Sequence, residues 1–193
     1  MTHLETLIER WKTGDHRAAE EIYNLHRERV YRLSYGLLGN APDAEEAAQD
    51  ALTYALLKIH NFDPRRSQFN TWLHMITVSR CRDLHRKRQM PTLSLSDWFR
   101  SRGRQLSSEI NPEGQAIQRE EQKTIWKAVQ GLPIEFREAI VLRHWGGHTY
   151  QEIADIVGCP VRTAQSRIRL AHQRLEKALI EFGPSPILKE KMQ

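Results

Sequence analysis

Apolar residues along this chain recur almost everywhere at three- and four-residue intervals and hardly anywhere at alternate positions. That spacing gives each segment one helical stripe to bury and leaves nothing patterned as a strand, so the predicted fold class is all-α. Leu4, Leu7, Ile8 and Trp11 mark a first helix ended by Gly14, and Ala18, Ile22, Leu25, Val30, Leu33 and Leu37 mark a second ended by Gly39. Pro42 opens a third helix, predicted to run to about residue 60, and a fourth is predicted from about residue 68 to residue 88. Between Gln89 and Pro112 the pattern breaks into Pro91, repeated serines, Gly103 and scattered arginines around a brief "DWF", the composition of a linker. Helical spacing resumes with Ile117, Ile125, Trp126 and Val129, stops at "GLP", and continues through Phe136, Ile140, Val141 and Leu142. The expected organisation is two small helical domains joined by a flexible linker: residues 1–90, a linker at 91–111, a second domain at 112–183 and a tail at 184–193.

The stretch "VRTAQSRIRLAHQRL", residues 161–175, has four arginines and no acid. At about 100° per residue, Ala164, Ile168, Ala171 and Leu175 form one apolar stripe. Arg162 and Arg169, with Gln165, Ser166 and Gln173, lie roughly opposite it, while Arg167 and Arg174 sit on a flank. An ordinary amphipathic surface helix accounts for the stripe, but solubility alone is usually served by mixed charges. Just upstream, "TYQEIADIVGCP" reads as a short helix halted at Gly158, with Pro160 opening the next. A short helix, a glycine turn and a second helix with a basic polar face form the helix-turn-helix pattern, whose second helix enters a DNA major groove.

A second basic surface lies in "NFDPRRSQFNTWLHMITVSRCRDLHRKR", residues 61–88. Phe62, Phe69 and Trp72 cluster at a loop carrying Arg65 and Arg66, and Arg80, Arg82, Arg86, Lys87 and Arg88 follow on the helix. Rings beside cations suit a splayed single strand, because bases stack while phosphates are neutralised. Taken singly, Phe69 and Trp72 read more readily as core. Leu73, Ile76, Thr77, Cys81 and Leu84 form the inward stripe of that helix. Opposite in character is "PDAEEAAQDAL", where Asp43, Glu45, Glu46 and Asp50 accompany a face of alanines. Acids in a first turn meet the helix dipole, which accounts for Asp43 to Glu46. Gln49 and Asp50 lie further along, and with them the helix suits docking onto a protein.

Composition is consistent with these readings. The net charge is +5 over 193 residues and the isoelectric point is near 9.4, a balance suited to a polyanionic partner. No apolar run reaches membrane-spanning length, and the acids in "MTHLETLIERWKTGD" do not suit a secretion signal, so a cytoplasmic protein with no membrane contact of its own is expected. Two cysteines, Cys81 and Cys159, offer no disulfide framework. His74, Cys81 and His85 share a side of the fourth helix, and His144 and His148 lie near one another, but neither set closes a four-ligand site, so no metal or cofactor is expected. The acids do not converge with a nucleophile and base as an enzyme such as a recombinase would need, and no catalytic residue is assigned.

Taken together, these segments resemble the bacterial RNA polymerase sigma factors of the extracytoplasmic function (ECF) type, over nearly the whole chain from about residue 18 to residue 179. "DAEEAAQDAL" resembles region 2.2, which implies that Asp43, Glu45, Glu46, Gln49 and Asp50 dock on the clamp helices of the largest polymerase subunit. "FNTWLHMITVSRCRDLHRKR" resembles regions 2.3 and 2.4. The resemblance implies that Phe62, Arg65, Arg66, Phe69, Asn70, Trp72, Arg80 and Arg86 hold and read single-stranded DNA of the promoter −10 element. "LPIEFREAIVLRHWGGHTYQEIADIVGCPVRTAQSRIRLAHQRLEKAL" resembles region 4, which touches the polymerase flap. There Arg162, Thr163, Gln165, Ser166, Arg167, Arg169, Gln173 and Arg174 are implied to read duplex −35 DNA. An anti-sigma factor is a further partner that the resemblance allows. The chain departs from the family at Ala47, Ala48 and Ala51, where larger apolar residues are usual, so a loosely filled core is expected there. Leu170 stands where a basic residue is usual, and Gln165 and His172 stand where Lys and Arg are usual. The linker, with Arg100, Arg102 and Arg104, is also longer and more basic than the family pattern. The alternative reading is a helix-turn-helix regulator that binds duplex DNA without core polymerase.

Overall fold

The computed structural model describes residues 2–89 and 114–181, with side chains for 2–88 and 122–180; the linker at 91–111 and the tail at 184–193 lie outside the described residues. Eight helices and one short 3-10 turn, Ile59–Asn61, make up the described elements: α1 His3–Lys12, α2 His16–Leu38, α3 Ala41–Leu57, α4 Phe69–Gln89, α5 Gly114–Gln130, α6 Ile134–His144, α7 Tyr150–Val157 and α8 Val161–Glu181. No described helix is long and apolar enough to cross a membrane.

Local chemistry sets the helix ends. Thr2 and Glu5 form a capping box on α1, and Asn40 caps α3 by accepting from the Asp43 amide. Gly39 closes α2 in the left-handed region at φ 79°, a conformation that costs other residues a Cβ clash. In the N-terminal domain, α1, α2, α3 and α4 bury Leu7, Ile22, Val30, Leu52, Ile59 and Leu73 in one cluster. Trp11 seals its edge by donating its indole N–H to the Leu56 carbonyl at 2.9 Å.

The two domains do not sit apart. A second core cluster runs from Leu33, Leu37, Ala47, Val78, Cys81 and Leu84 into Val129, Leu132, Ile140, Leu142, Ile153 and Ile168. α4 is therefore buried on two sides, by α2 and α3 on one and by α7 on the other, with Arg82 reaching Glu138 of α6. Its inward stripe includes Leu73, Thr77, Cys81 and Leu84, as the spacing predicts, but Thr71, His74 and Val78 are buried as well. Burial also pushes the Cys81 thiol up to about 12, so it is a packing residue rather than a nucleophile.

Small residues set how closely the helices approach. A Cβ at Gly36 in α2 would stand 2.3 Å from the Trp145 ring and 2.9 Å from Val141. Ala44, Ala47 and Ala51 are fully buried, and Ala48 and Ala55 nearly so. The expectation of a loosely filled core at the alanine face can be tested directly, because Ala51→Leu would fill empty space and stabilise. Close helix approach predicts the opposite, a loss of about 1–3 kcal/mol from overpacking, measured by urea denaturation of the full chain.

Candidate nucleic-acid interface

α7 and α8 build the helix-turn-helix from the sequence upward. Thr149 and Glu152 form a capping box that starts α7. Gly158 ends it at φ 74°, and Thr163 and Ala164 donate to the Pro160 carbonyl as α8 begins. Ala164, Ile168 and Ala171 are buried and Leu175 packs at the margin, so the apolar stripe lies against the domain core. Arg162, Gln165, Arg169, Gln173 and Arg174 are exposed, and Thr163, Ser166 and Arg167 are half-buried. The guanidinium of Arg174 lies over the Phe136 ring at 4.5 Å, which ties this flanking cation to its own domain. Arg167 lines a cleft with Arg82, Arg86, Glu138 and Cys159. Arg162 and Arg169 remain the outward pair. His172 meets His144 of α6 with nitrogens 3.2 Å apart, and burial holds His144 below its ordinary range.

The N-terminal basic surface is divided between core and solvent. Phe62 and Phe69 are each 6% exposed and meet edge to face at 5.3 Å. Trp72 leans on both, 5.4 Å from Phe62 and 5.8 Å from Phe69, and is the half-buried ring of the three. Phe62 and Phe69 thus support Trp72 and do not offer open faces for a base. Arg65 and Arg66 stand free of the core on the loop, where Asp63 accepts from the Arg65 amide at 2.9 Å. Asn70 is half-buried with its side-chain oxygen enclosed and unpaired. Arg80 lies over the Tyr54 ring at 4.5 Å, and Arg86 pairs with Asp83. A cation over a ring keeps its charge at the surface while its stem is held in place.

On α3 the acidic surface is narrower than the sequence suggests. Glu45, Glu46, Gln49 and Asp50 are exposed on one face, opposite the alanines. Asp43 is not on it. Its carboxylate is buried, accepts from the Asn40 amide group at 2.9 Å and pairs with Arg88 at the end of α4. A buried carboxylate with two such donors fixes the start of α3 against α4 instead of meeting a partner. Tyr54 and Leu57 extend the exposed face towards the C-terminal end of the helix.

Sequence reasoning missed the residues that join the domains. His74 and His148 touch through ring nitrogens 2.6 Å apart, with rings at 85°. Thr71 donates to Glu152 at 3.1 Å. Arg82 grips Glu138 with two bonds of 2.6 Å, and the buried carboxylate holds the Arg82 guanidinium above its ordinary range. Tyr35, Trp126 and Trp145 stack in series across the same boundary, at 4.6 and 5.6 Å. Thr71, His74, Val78 and Arg82 recur at three- and four-residue intervals, a second stripe hidden by its polar members. Among the described residues no group of three or more His, Cys, Asp or Glu could hold a metal ion.

Both halves match family models: Sigma-70 region 2 over residues 22–90 and Sigma-70, region 4 over residues 122–175. The ECF RNA polymerase sigma factor SigW of Bacillus subtilis (strain 168) is 31% identical over 177 residues, covering 89% of this chain and 94% of that protein. The RNA polymerase sigma-H factor of Pseudomonas aeruginosa is 30% identical over 192 residues, covering 96% of each. Among solved structures, the sigma factor RpoE of Bartonella quintana, in complex with the anti-sigma factor NepR, matches with a TM-score of 0.62 and 26% identity, over 83% of this chain and 95% of that one. With region 2 and region 4 in that order, an exposed acidic face on α3, and a helix-turn-helix whose α8 turns Arg162 and Arg169 to solvent, the chain belongs to the ECF sigma factors of bacterial RNA polymerase.

Proposed function

We propose that this chain binds core RNA polymerase and directs promoter-specific initiation of transcription in the cytoplasm, reading −35 and −10 elements and opening the latter. The observation that carries this reading is the pairing of an outward cationic face on α8 with a separate acid-bearing face on α3. Cations suit the polyanion and acids do not, so one surface is fitted to DNA and the other to a protein. Residues 1–90 dock on the polymerase clamp helices through Glu45, Glu46, Gln49 and Asp50, and hold the opened −10 strand with Trp72, Arg65 and Arg66. Residues 112–183 read duplex −35 DNA with α8 and contact the flap. The role is that of an initiation factor, with chemistry left to the polymerase. An anti-sigma factor is a fitting regulator, since the similar RpoE structure holds one.

The docking face yields a first test. Asp50→Arg places a cation on an exposed position, so helicity and melting temperature should be unchanged while core polymerase affinity falls at least about tenfold, the equivalent of about 1.4 kcal/mol. A folded variant that co-purifies with core polymerase like the wild type would remove α3 from the interface.

Strand holding is tested at Trp72. Trp72→Ala should leave promoter binding by the holoenzyme intact but slow open-complex formation, and a template with a premelted −10 bubble should restore the rate. A variant that the bubble does not rescue, despite normal core binding, would make the ring purely structural.

The two arginine pairs on α8 separate reading from positioning. Arg169→Ala should cost about 1–3 kcal/mol on the cognate −35 site and relax preference at one base position. Arg174→Ala should weaken all sequences nearly equally, because its guanidinium is held over Phe136 on the flank. Base-by-base −35 substitution with each holoenzyme distinguishes them, and matching specificity profiles would contradict the division.

A further inference from the structure

The structure joins the two DNA-reading domains more tightly than their task allows. Elements named −10 and −35 are centred about 25 base pairs apart, about 85 Å at 3.4 Å per pair. α4 and α8 both pack on α7, which holds them within about 20 Å of one another, two helix spacings. The α4–α7 boundary must therefore part before both elements are read at once.

We propose that the His74–His148 contact is a proton-operated clasp, which keeps the free protein closed near neutral pH and releases the C-terminal domain in mild acid. This inference rests on the sigma-factor reading for its purpose, though not for its test.

The geometry supplies the mechanism. His74 is 1% exposed and His148 4% exposed, and one nitrogen of each faces the other at 2.6 Å. A contact that short between imidazoles needs one donor and one acceptor, so the pair holds one proton between them. Two protonated rings would set donor against donor in a buried site. The surroundings discourage extra charge from α2, where His26 is buried and Arg29 is near enough to repel a proton on His74 and on His148. Glu152 of α7 favours a first proton on His148, with its carboxylate 3.8 Å from Nδ1. The Arg143 guanidinium, from α6, bonds the His148 carbonyl at 2.9 Å and fixes the loop. Thr71, one turn before His74 on α4, is engaged with Glu152.

Burial, with His148 and Arg29 adding to it, takes His74 down to about 3. Burial and Arg29 take His26 to about 4. Burial also holds His148 below its ordinary range, with Glu152 opposing. His74 and His148 each bind a proton less readily in the closed form than in water, whereas His26 packs on Phe69 within the N-terminal domain and stays buried when the boundary parts. Closure is therefore undiminished above the ordinary histidine value of 6.5 and weakens as pH falls below it. If His74 regains that ordinary value on opening, it alone favours the open form roughly thirtyfold at pH 5.

Two glycines make the closed fit possible. A Cβ at Gly146 would stand 2.8 Å from the His148 ring, and one at Gly36 would strike Trp145 of the other domain. Gly36→Ala thus presses on Trp145 and Val141 across the boundary without any titration.

Small-angle X-ray scattering of the full chain from pH 7.5 to 5.0, with circular dichroism in parallel, tests the clasp. The wild type should have a radius of gyration of about 16 Å at pH 7.5, the size of a compact chain of this length, and should expand on acidification with helicity retained. Gly36→Ala should be expanded already at pH 7.5. The double variant His74→Gln, His148→Gln should lose most of the pH dependence, whether it starts compact or extended. An unchanged wild-type radius, helicity lost together with compactness, or a double variant that responds to acid like the wild type would each overturn the proposal. A chain that opens in acid yet fails to bind core polymerase would keep the clasp and lose the sigma-factor reading, so the two failures are distinguishable.

Discussion

The constraint on which the rest of the structure depends is that α4 must be buried along two stripes at once. One stripe, with Leu73, Thr77, Cys81 and Leu84, packs into the apolar clusters of both domains, and the other, with Thr71, His74, Val78 and Arg82, meets the C-terminal domain. A helix enclosed in this way needs small neighbours, which Ala47, Ala51 and Gly36 provide. Its polar members need partners, because a buried unpaired group costs about as much as a lost hydrogen bond. Glu152 does so twice over, with one oxygen capping α7 through Thr149 and the other accepting from Thr71. The start of the reading helix pair is thereby tied to the domain boundary.

Such a boundary is not a strong source of stability in itself. Arg82 and Glu138 form a good pair, but desolvating two charges consumes much of what their attraction returns. A buried histidine pair is weaker still. The polar pairs of this seam add little to the apolar cluster that joins the domains, and a two-domain reader of distant elements needs a boundary that can part. Its outward surfaces remain available in the closed form, since Glu45, Glu46, Gln49 and Asp50 of α3 and Arg162 and Arg169 of α8 are exposed.

What the sequence made legible follows the same physics. The stripe of α8 could be read because Ala164, Ile168 and Ala171 are apolar and periodic, and Gly39 and Gly158 mark helix ends because their positive φ values suit glycine. The boundary was hidden because its residues are Thr71, His74, Arg82, Glu138, His148 and Glu152, types that usually face water. The placing of Asp43, Phe62 and Phe69 inside the domain was not decided by the sequence, since sequence distance does not reveal that Arg88 reaches Asp43 or that three rings pack on one another. The division of the α8 arginines was visible as geometry, but the seat of Arg174 over Phe136 depends on α6, a helix distant in sequence.

The central claim is that this chain gives core polymerase its promoter choice, and it is tested most directly by transcription with purified components. Genomic DNA, core polymerase and the protein would be combined and the transcript 5′ ends sequenced. The account predicts start sites that need both proteins and share two upstream elements at a fixed spacing. Tight binding of the protein alone to duplex DNA, with no new start sites when core polymerase is added, would contradict it and leave an ordinary helix-turn-helix regulator.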